Sequence, residues 1–217
     1  MDPQPDIEPY LDAAGQKGMR IAHVYETHVQ ADHLSGARRL AAATGAPIFY
    51  HDAAAVRFPH VDMGGGDEHE LGNVRVRVLH TPGHTPDSVC LLITDRTRAP
   101  EPWFVLTGDT LFSGGVGRPD LLGAGLETAL ARQLHESLFG KLLTLPDHIE
   151  VFPAHFGGAA CGKGLSGKPG STIGFERRFN PALQHRSEAE FVRFVLAELP
   201  PQPEEFAINR RKNLGDE

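Results

Sequence analysis

Apolar positions along the chain fall into two periods, one of about 3.6 residues and one of two. Ile7, Tyr10, Leu11 and Ala14 share one helical face, with Asp6 placed to cap the first turn and Gly18 to end the helix. The segment 20–26, RIAHVYE, is short and β-rich and predicts a strand. A polar run leaves its end, and LSGARRLAAATG predicts a helix closed by Gly45. APIFYH predicts a short strand. NVRVRVLH alternates strictly, with Val74, Val76 and Val78 on one face and Arg75 and Arg77 on the other, so its outer face must meet solvent. After the turn TPGHTPD come a strand of buried character, SVCLLIT, a linker rich in Arg and Pro, and the strand WFVLTGD. LETALARQLHESLFGKLLTL predicts a helix, IEVFPAH a strand, and Ser187 with Glu190 a capping box ahead of FVRFVLAEL. Strands mix with helices throughout, which gives an α/β class without internal repeats. The Gly-rich stretch 157–174 reads as a functional loop.

Composition narrows the class. At 217 residues, one domain spanning 1–217 is expected. With 40% hydrophobic and 23% charged residues and a net charge of −7, the chain reads as an ordinary globular protein, and nucleic acid is not the expected partner. Apolar runs such as 88–93 are far shorter than the roughly 20 residues of a membrane span, and MDPQPD is not a signal peptide, so a cytoplasmic location is expected. Two cysteines are too few for a disulfide framework.

The count that changes the picture is twelve histidines. Strand ends deliver His28, Asp32 and His33 in THVQADH, His84 in TPGHT, Asp109 in TGDT and His155 in PAH. Imidazoles and carboxylates repeated at strand-to-loop junctions are what a metal site built on a rigid sheet requires. His23, His51, His60, His69, His135, His148 and His185 read as ordinary surface or core residues, and His80 stands out only by lying near His84. Cys90 falls inside an apolar strand and reads as core. Cys161, a few residues past His155, is a candidate reactive thiol.

THVQADH, TPGHT, TGDT and PAH, in that order, resemble the metallo-β-lactamase fold. GDTLFSGGVGRPDL and FERRFNPAL are similar to the persulfide dioxygenases more than to the related glyoxalase II hydrolases. The resemblance covers nearly the whole chain and implies a four-layer αββα sandwich with the metal at one edge of its two sheets. In the hydrolase pattern one metal would take His28, a histidine at position 30 and His84, and a second would take Asp32, His33 and His155, with Asp109 bridging. Gln30 breaks the first set. What remains is His28, His84 and Asp109, two imidazoles and a carboxylate with open positions, which suits non-heme Fe(II). In the persulfide dioxygenases these three positions hold a single iron, and Asp32, His33 and His155 would then orient ligands or water.

The resemblance implies Fe(II) as cofactor and a persulfide, glutathione persulfide above all, as substrate, oxidised with O2 to sulfite and thiol. Arg118, Lys163, Lys168, Arg177 and Arg178 are the cations expected to meet the substrate's carboxylates. Arg118 carries a competing reading, an ion pair with Asp120 that shapes its loop. Two other functions stand beside this one: a zinc or two-metal thioester hydrolase of the glyoxalase II type, and a truncated, non-catalytic metal-binding module. Related chains usually open with a β-hairpin before a strand ending in Asp-Pro, whereas this sequence starts at that strand's end. The expectation is a sandwich short of its first strands, with an open edge that favours homo-oligomers. No rhodanese domain follows NRRKNLGDE, so a sulfurtransferase partner would be a separate chain.

Overall fold

The chain was analysed as a computed structural model that describes residues 1–123, 125–157, 162, 164–197 and 199–216. The elements run α1 (Glu8–Gln16), β1 (Val24–Tyr25), α2 (Ala37–Thr44), β2 (Ile48–His51), β3 (Val61–Met63), β4 (Glu68–Leu71), β5 (Val74–His80), β6 (Val89–Asp95), β7 (Phe104–Gly108), β8 (Leu111–Phe112) and β9 (Gly115–Val116). They continue with α3 (Glu127–Gly140), β10 (Glu150–Pro153), β11 (Ser171–Thr172), α4 (Ile173–Phe179), α5 (Glu188–Leu196) and α6 (Glu205–Leu214).

The apolar run of β6 explains the layering, because an uninterrupted hydrophobic strand needs cover on both faces. Val89, Leu91 and Ile93 point into a cluster with Tyr25, Phe49 and Met63 of the facing sheet. Cys90 and Leu92 point the other way, into a cluster with Leu134 and Leu138 of α3, Ile173 of α4 and Phe191 of α5. A third cluster seats Ile7, just ahead of α1, and Leu40 of α2 on Val24, Ile48 and Tyr50. Three cores between four layers make the αββα sandwich expected for the metallo-β-lactamase fold.

One sheet has the order β1-β2-β3, all parallel; the other has the order β11-β10-β7-β6-β5-β4. In the larger sheet β5 and β7 each run antiparallel to β6, and β10 runs parallel to β7. The C-terminal ends of β5, β7 and β10 therefore leave the same edge of the sheet, and each strand of that set feeds one of the polar loops picked out above. Gly108, with φ +50, lets the chain turn out of β7; a Cβ there would lie 2.7 Å from Thr27 Oγ1.

Several local expectations shift. The strand expected over 20–26 shrinks to β1, the two residues that find a ladder partner in β2. The helix expected over 126–145 ends at Gly140: Lys141 leaves helical geometry and its Nζ donates to the carbonyl of His80 at 2.6 Å, while Leu142 turns into the core. The Gly-rich loop closes at Gly170, because β11 and the start of α4 occupy 171–174. The Ser187 and Glu190 box forms, with Ser187 Oγ accepting from Glu190 N at 3.3 Å and donating to its carboxylate at 2.7 Å. Among the described residues no helix is long and apolar enough to cross a membrane.

Candidate metal centre

The six residues at the strand ends come together as two groups: His28, His84 and Asp109, all buried, and Asp32, His33 and His155, half-buried. Within each group the candidate ligand atoms lie within 4.8 Å of one another. His28 and His84 stand edge to face with ring centroids 5.0 Å apart. Their Nε2 atoms lie 4.0 and 3.4 Å from Oδ2 of Asp109.

Hydrogen bonds aim both imidazoles. His84 Nδ1 donates to the carbonyl of Arg118 at 2.8 Å, which leaves Nε2 as the bare nitrogen. Burial lowers the His84 pKa to about 4, so the ring is neutral at neutral pH. His28 Nδ1 lies 3.0 Å from Thr27 Oγ1, and that hydroxyl donates to Asp2 Oδ2 at 3.1 Å. Asp2 also takes the Thr27 N–H at 2.7 Å, so a carboxylate braces the residue beside the ligand. Val29 N donates to buried Asp87 at 2.7 Å, and Val89 N to the Thr27 carbonyl at 2.8 Å, joining the loop after β1 to the neighbouring sheet.

Asp109 and His155 link the groups. His155 Nδ1 donates to Asp109 Oδ1 and its Nε2 to Asp32 Oδ2, both at 2.7 Å, and His33 Nδ1 lies 3.0 Å from Asp32 Oδ1. Burial works against charge on His155, but the two carboxylates outweigh it and push its pKa up to about 10. Burial likewise works against the carboxylates, yet their histidine partners hold Asp32 and Asp109 below the usual carboxylate range.

A cation fits the first group on the evidence of its own atoms. Asp109 Oδ2 is buried and meets no hydrogen-bond donor among the described residues, and the nearest ring nitrogens are aimed at it as acceptors. An ionised carboxylate oxygen left this way in a dry interior is costly unless a positive charge meets it. His33 Nε2 is also buried and finds no partner among the described residues, so the second group too offers a ligand atom. Gln30, between His28 and Asp32 in sequence, is 0% exposed, and neither atom of its amide finds a partner among the described residues.

The cations expected at the substrate scatter. The Arg118 guanidinium is buried, with Nε and Nη2 each 2.8 Å from Asp120 and Nη2 2.6 Å from the carbonyl of Pro200, so it is the backbone of Arg118 that serves the site. Arg177 pairs with Asp147 and donates to the carbonyls of Leu143 and Leu145, at the N-terminal end of β10, away from His155. Arg178 lies over the ring of Phe179, 5.5 Å from its centroid. Lys168 is exposed and lines a cleft with Phe152, Ser166 and Phe175. Lys163 and Cys161 lie outside the described residues. Cys90 is buried, and burial pushes its thiol up to about 11, so it is inert core.

Residues that sequence reasoning passed over also build the site. Asn213 donates to the carbonyls of Gln30 and His33 and accepts from Ser35 N. It sits in a polar segment some 180 positions away, and no local pattern singles it out.

A family model described as the metallo-beta-lactamase superfamily matches residues 1–155. A hydroxyacylglutathione hydrolase of Anaeromyxobacter dehalogenans is 37% identical over 151 residues, covering 69% of this chain and 54% of the relative. The crystal structure of a metallo-beta-lactamase from Staphylococcus aureus superimposes with a TM-score of 0.91 at 34% identity, covering 98% of this chain and 64% of that one. That of ETHE1 from Myxococcus xanthus gives 0.83 at 29% identity, covering 100% and 87%. A di-iron-bound form of TTHA1623 gives 0.62 at 29% identity, covering 83% and 86%.

Proposed function

From the premise that this chain belongs to the metallo-β-lactamase superfamily, we propose that it is an iron-dependent persulfide dioxygenase acting on glutathione persulfide or a similar small persulfide. The observation that carries the reading is the composition of the buried group: two imidazole nitrogens and one carboxylate oxygen, with Gln30 where a two-metal hydrolase would place a third histidine. The likeness to ETHE1 from Myxococcus xanthus stands beside the resemblance of GDTLFSGGVGRPDL and FERRFNPAL to the persulfide dioxygenases, and together they support it.

His28, His84 and Asp109 would hold Fe(II), which would supply the redox chemistry by which O2 oxidises sulfur. The residues supply the rest. His28 and His84 present Nε2 because Thr27 and the Arg118 carbonyl engage their Nδ1 atoms. Burial of all three ligands keeps bulk water from the reacting sulfur. One persulfide, one O2 and one water give one sulfite, one thiol and two protons. His155, protonated between Asp109 and Asp32, can hand a proton from Nε2 to the departing thiolate and recover one from the sulfite formed.

A specific observation favours a second reading. Asp32, His33 and His155 form a complete second ligand group, and the hydroxyacylglutathione hydrolase similarity points to thioester hydrolysis with both groups filled. Metal analysis of protein purified without added metal, read beside oxygen uptake with glutathione persulfide, separates the two. Iron with one O2 consumed per sulfite is the expected result; two zinc ions with fast thioester hydrolysis and no oxygen uptake would replace the dioxygenase with the hydrolase.

A further inference from the structure

We propose that Asn213 is a positioning residue that holds the loop carrying His28, Asp32 and His33 in its metal-binding shape, and that α6 serves as a brace for that loop. The side chain is buried, and its amide is spent entirely on loop backbone. Nδ2 donates to the carbonyls of Gln30 at 2.9 Å and His33 at 2.8 Å, and Oδ1 accepts from Ser35 N at 2.9 Å. Both donors and the acceptor of one amide thus close around the span 30–35, which contains Asp32 and His33 and begins two residues after His28. No other side chain of similar size offers two donors and an acceptor in that fork. Aspartate would keep the acceptor but set a carboxylate oxygen against two carbonyls.

The rest of α6 shows what the helix is for. Its buried residues are Phe206 and Asn213, seven positions apart and so on one face, about 10 Å apart along the axis. Phe206 packs on Ala31, between Gln30 and Asp32, and on Phe112, three residues past Asp109. Both buried residues of the helix therefore land on the ligand loop or beside it, while Leu214, half-buried, packs at the edge of the core under α1 and α2. At its C-terminal end the helix is tied by Arg57 N to the Leu214 carbonyl at 2.8 Å and by an ion pair of Arg57 with Asp216. Ser35 extends the brace, since its hydroxyl donates to buried Glu26 and accepts from Ala37 N, fixing the start of α2. A loop of short-range turns held at both ends and in the middle loses the freedom that would otherwise oppose closing three ligands on one ion.

The proposal rests on metal binding at the two groups and not on which reaction they run, so it is tested with Co(II) alone on the full chain. Asn213→Ala, Asn213→Asp and, as a control, Arg57→Ala, which releases Asp216 from the same helix end, are titrated with Co(II) against a competing chelator. The d–d bands and the melting temperature of the metal-free protein are recorded for each. Both Asn213 variants should weaken the sole or weakest Co(II) equivalent by roughly 10- to 100-fold and shift the bands, while Arg57→Ala leaves both near wild type. Co(II) affinity and bands at the wild-type level in both Asn213 variants would overturn the proposal, whatever their melting temperatures. So would an equal loss in Arg57→Ala, since general docking of the helix would then explain it. A wild-type chain that takes up no Co(II) would sink the metal reading itself, a result distinct from either.

Discussion

His155 donates to Oδ1 of Asp109 at 2.7 Å, and this one bond ties the half-buried ligand group to the buried one. It leaves Oδ2 of Asp109 as the oxygen turned toward His28 and His84. Asp109→Ala, His28→Ala or His84→Ala should therefore strip most of the iron and abolish oxygen uptake. His155→Ala should keep more than half of the iron and lose turnover, because its proton and not its coordination is missing. Metal analysis of the four variants decides; iron lost from His155→Ala as completely as from Asp109→Ala would make His155 a ligand.

Gln30 supplies the sharpest division between the two readings. Its amide is buried and without a partner among the described residues, so Gln30→Ala should retain iron and most oxygen uptake if the position lies outside the coordination sphere. Gln30→His adds a third imidazole, which should raise zinc affinity without raising oxygen uptake. If Gln30→Ala loses its metal while Gln30→His gains strong thioester hydrolysis, the hydrolase reading stands in place of the dioxygenase.

Gly117 carries no chemistry, yet a Cβ there would lie 1.9 Å from the carbonyl oxygen of Asp109 and 3.1 Å from Cβ of His84. The backbone contact has no flexible atom to yield. Gly117→Ala should push two ligands apart and lower metal affinity as severely as loss of one of them. Chelator competition measures this, with Gly15→Ala, where φ is ordinary and nothing beyond its own helix among the described residues crowds the new carbon, as a comparison for the effect of the substitution itself.

The pair of Arg118 and Asp120 makes a pH-dependent prediction. Burial would raise the Asp120 carboxyl, but hydrogen bonds and charge from Arg118 hold it below the ordinary value. A depressed carboxyl stabilises the fold above the unfolded pKa near 4, and that contribution is lost as pH falls through the lower folded value. Asp120→Asn should cost about 1–3 kcal/mol at pH 7, less than the roughly 3–5 of a fully buried pair because Asp120 is partly exposed. Urea unfolding at pH 7 and pH 3 should show the gap closing at the lower value. An equal gap at both would mean that the charge pair is not its source.

How much of this was legible in advance follows from the range of each interaction. The alternation of NVRVRVLH and the uninterrupted SVCLLIT were enough to place β5 and β6, because successive side chains of a strand point to opposite faces and the pattern of apolar positions shows which faces are covered. The six candidate ligands stood out for the same reason, each at the end of a local pattern. That those ligands fall into two groups, with three buried and three half-buried, depended on β5, β7 and β10 leaving one edge of the same sheet, which is a matter of strand order. Short strands such as β3, β8 and β11 carry too few residues to show a period, and they form because a neighbour supplies the ladder. Arg118 offered two readings in sequence, and the approach of Pro200 and Asp120 assigned its guanidinium to the loop and its carbonyl to His84. Asn213 was invisible, since a polar helix with two buried residues has almost no amphipathic signature. Residue order thus determined what kinds of ligand the protein owns and which faces it hides; only the packed chain decided which of them meet, because a hydrogen bond spanning some 180 residues is encoded in the path of the whole fold.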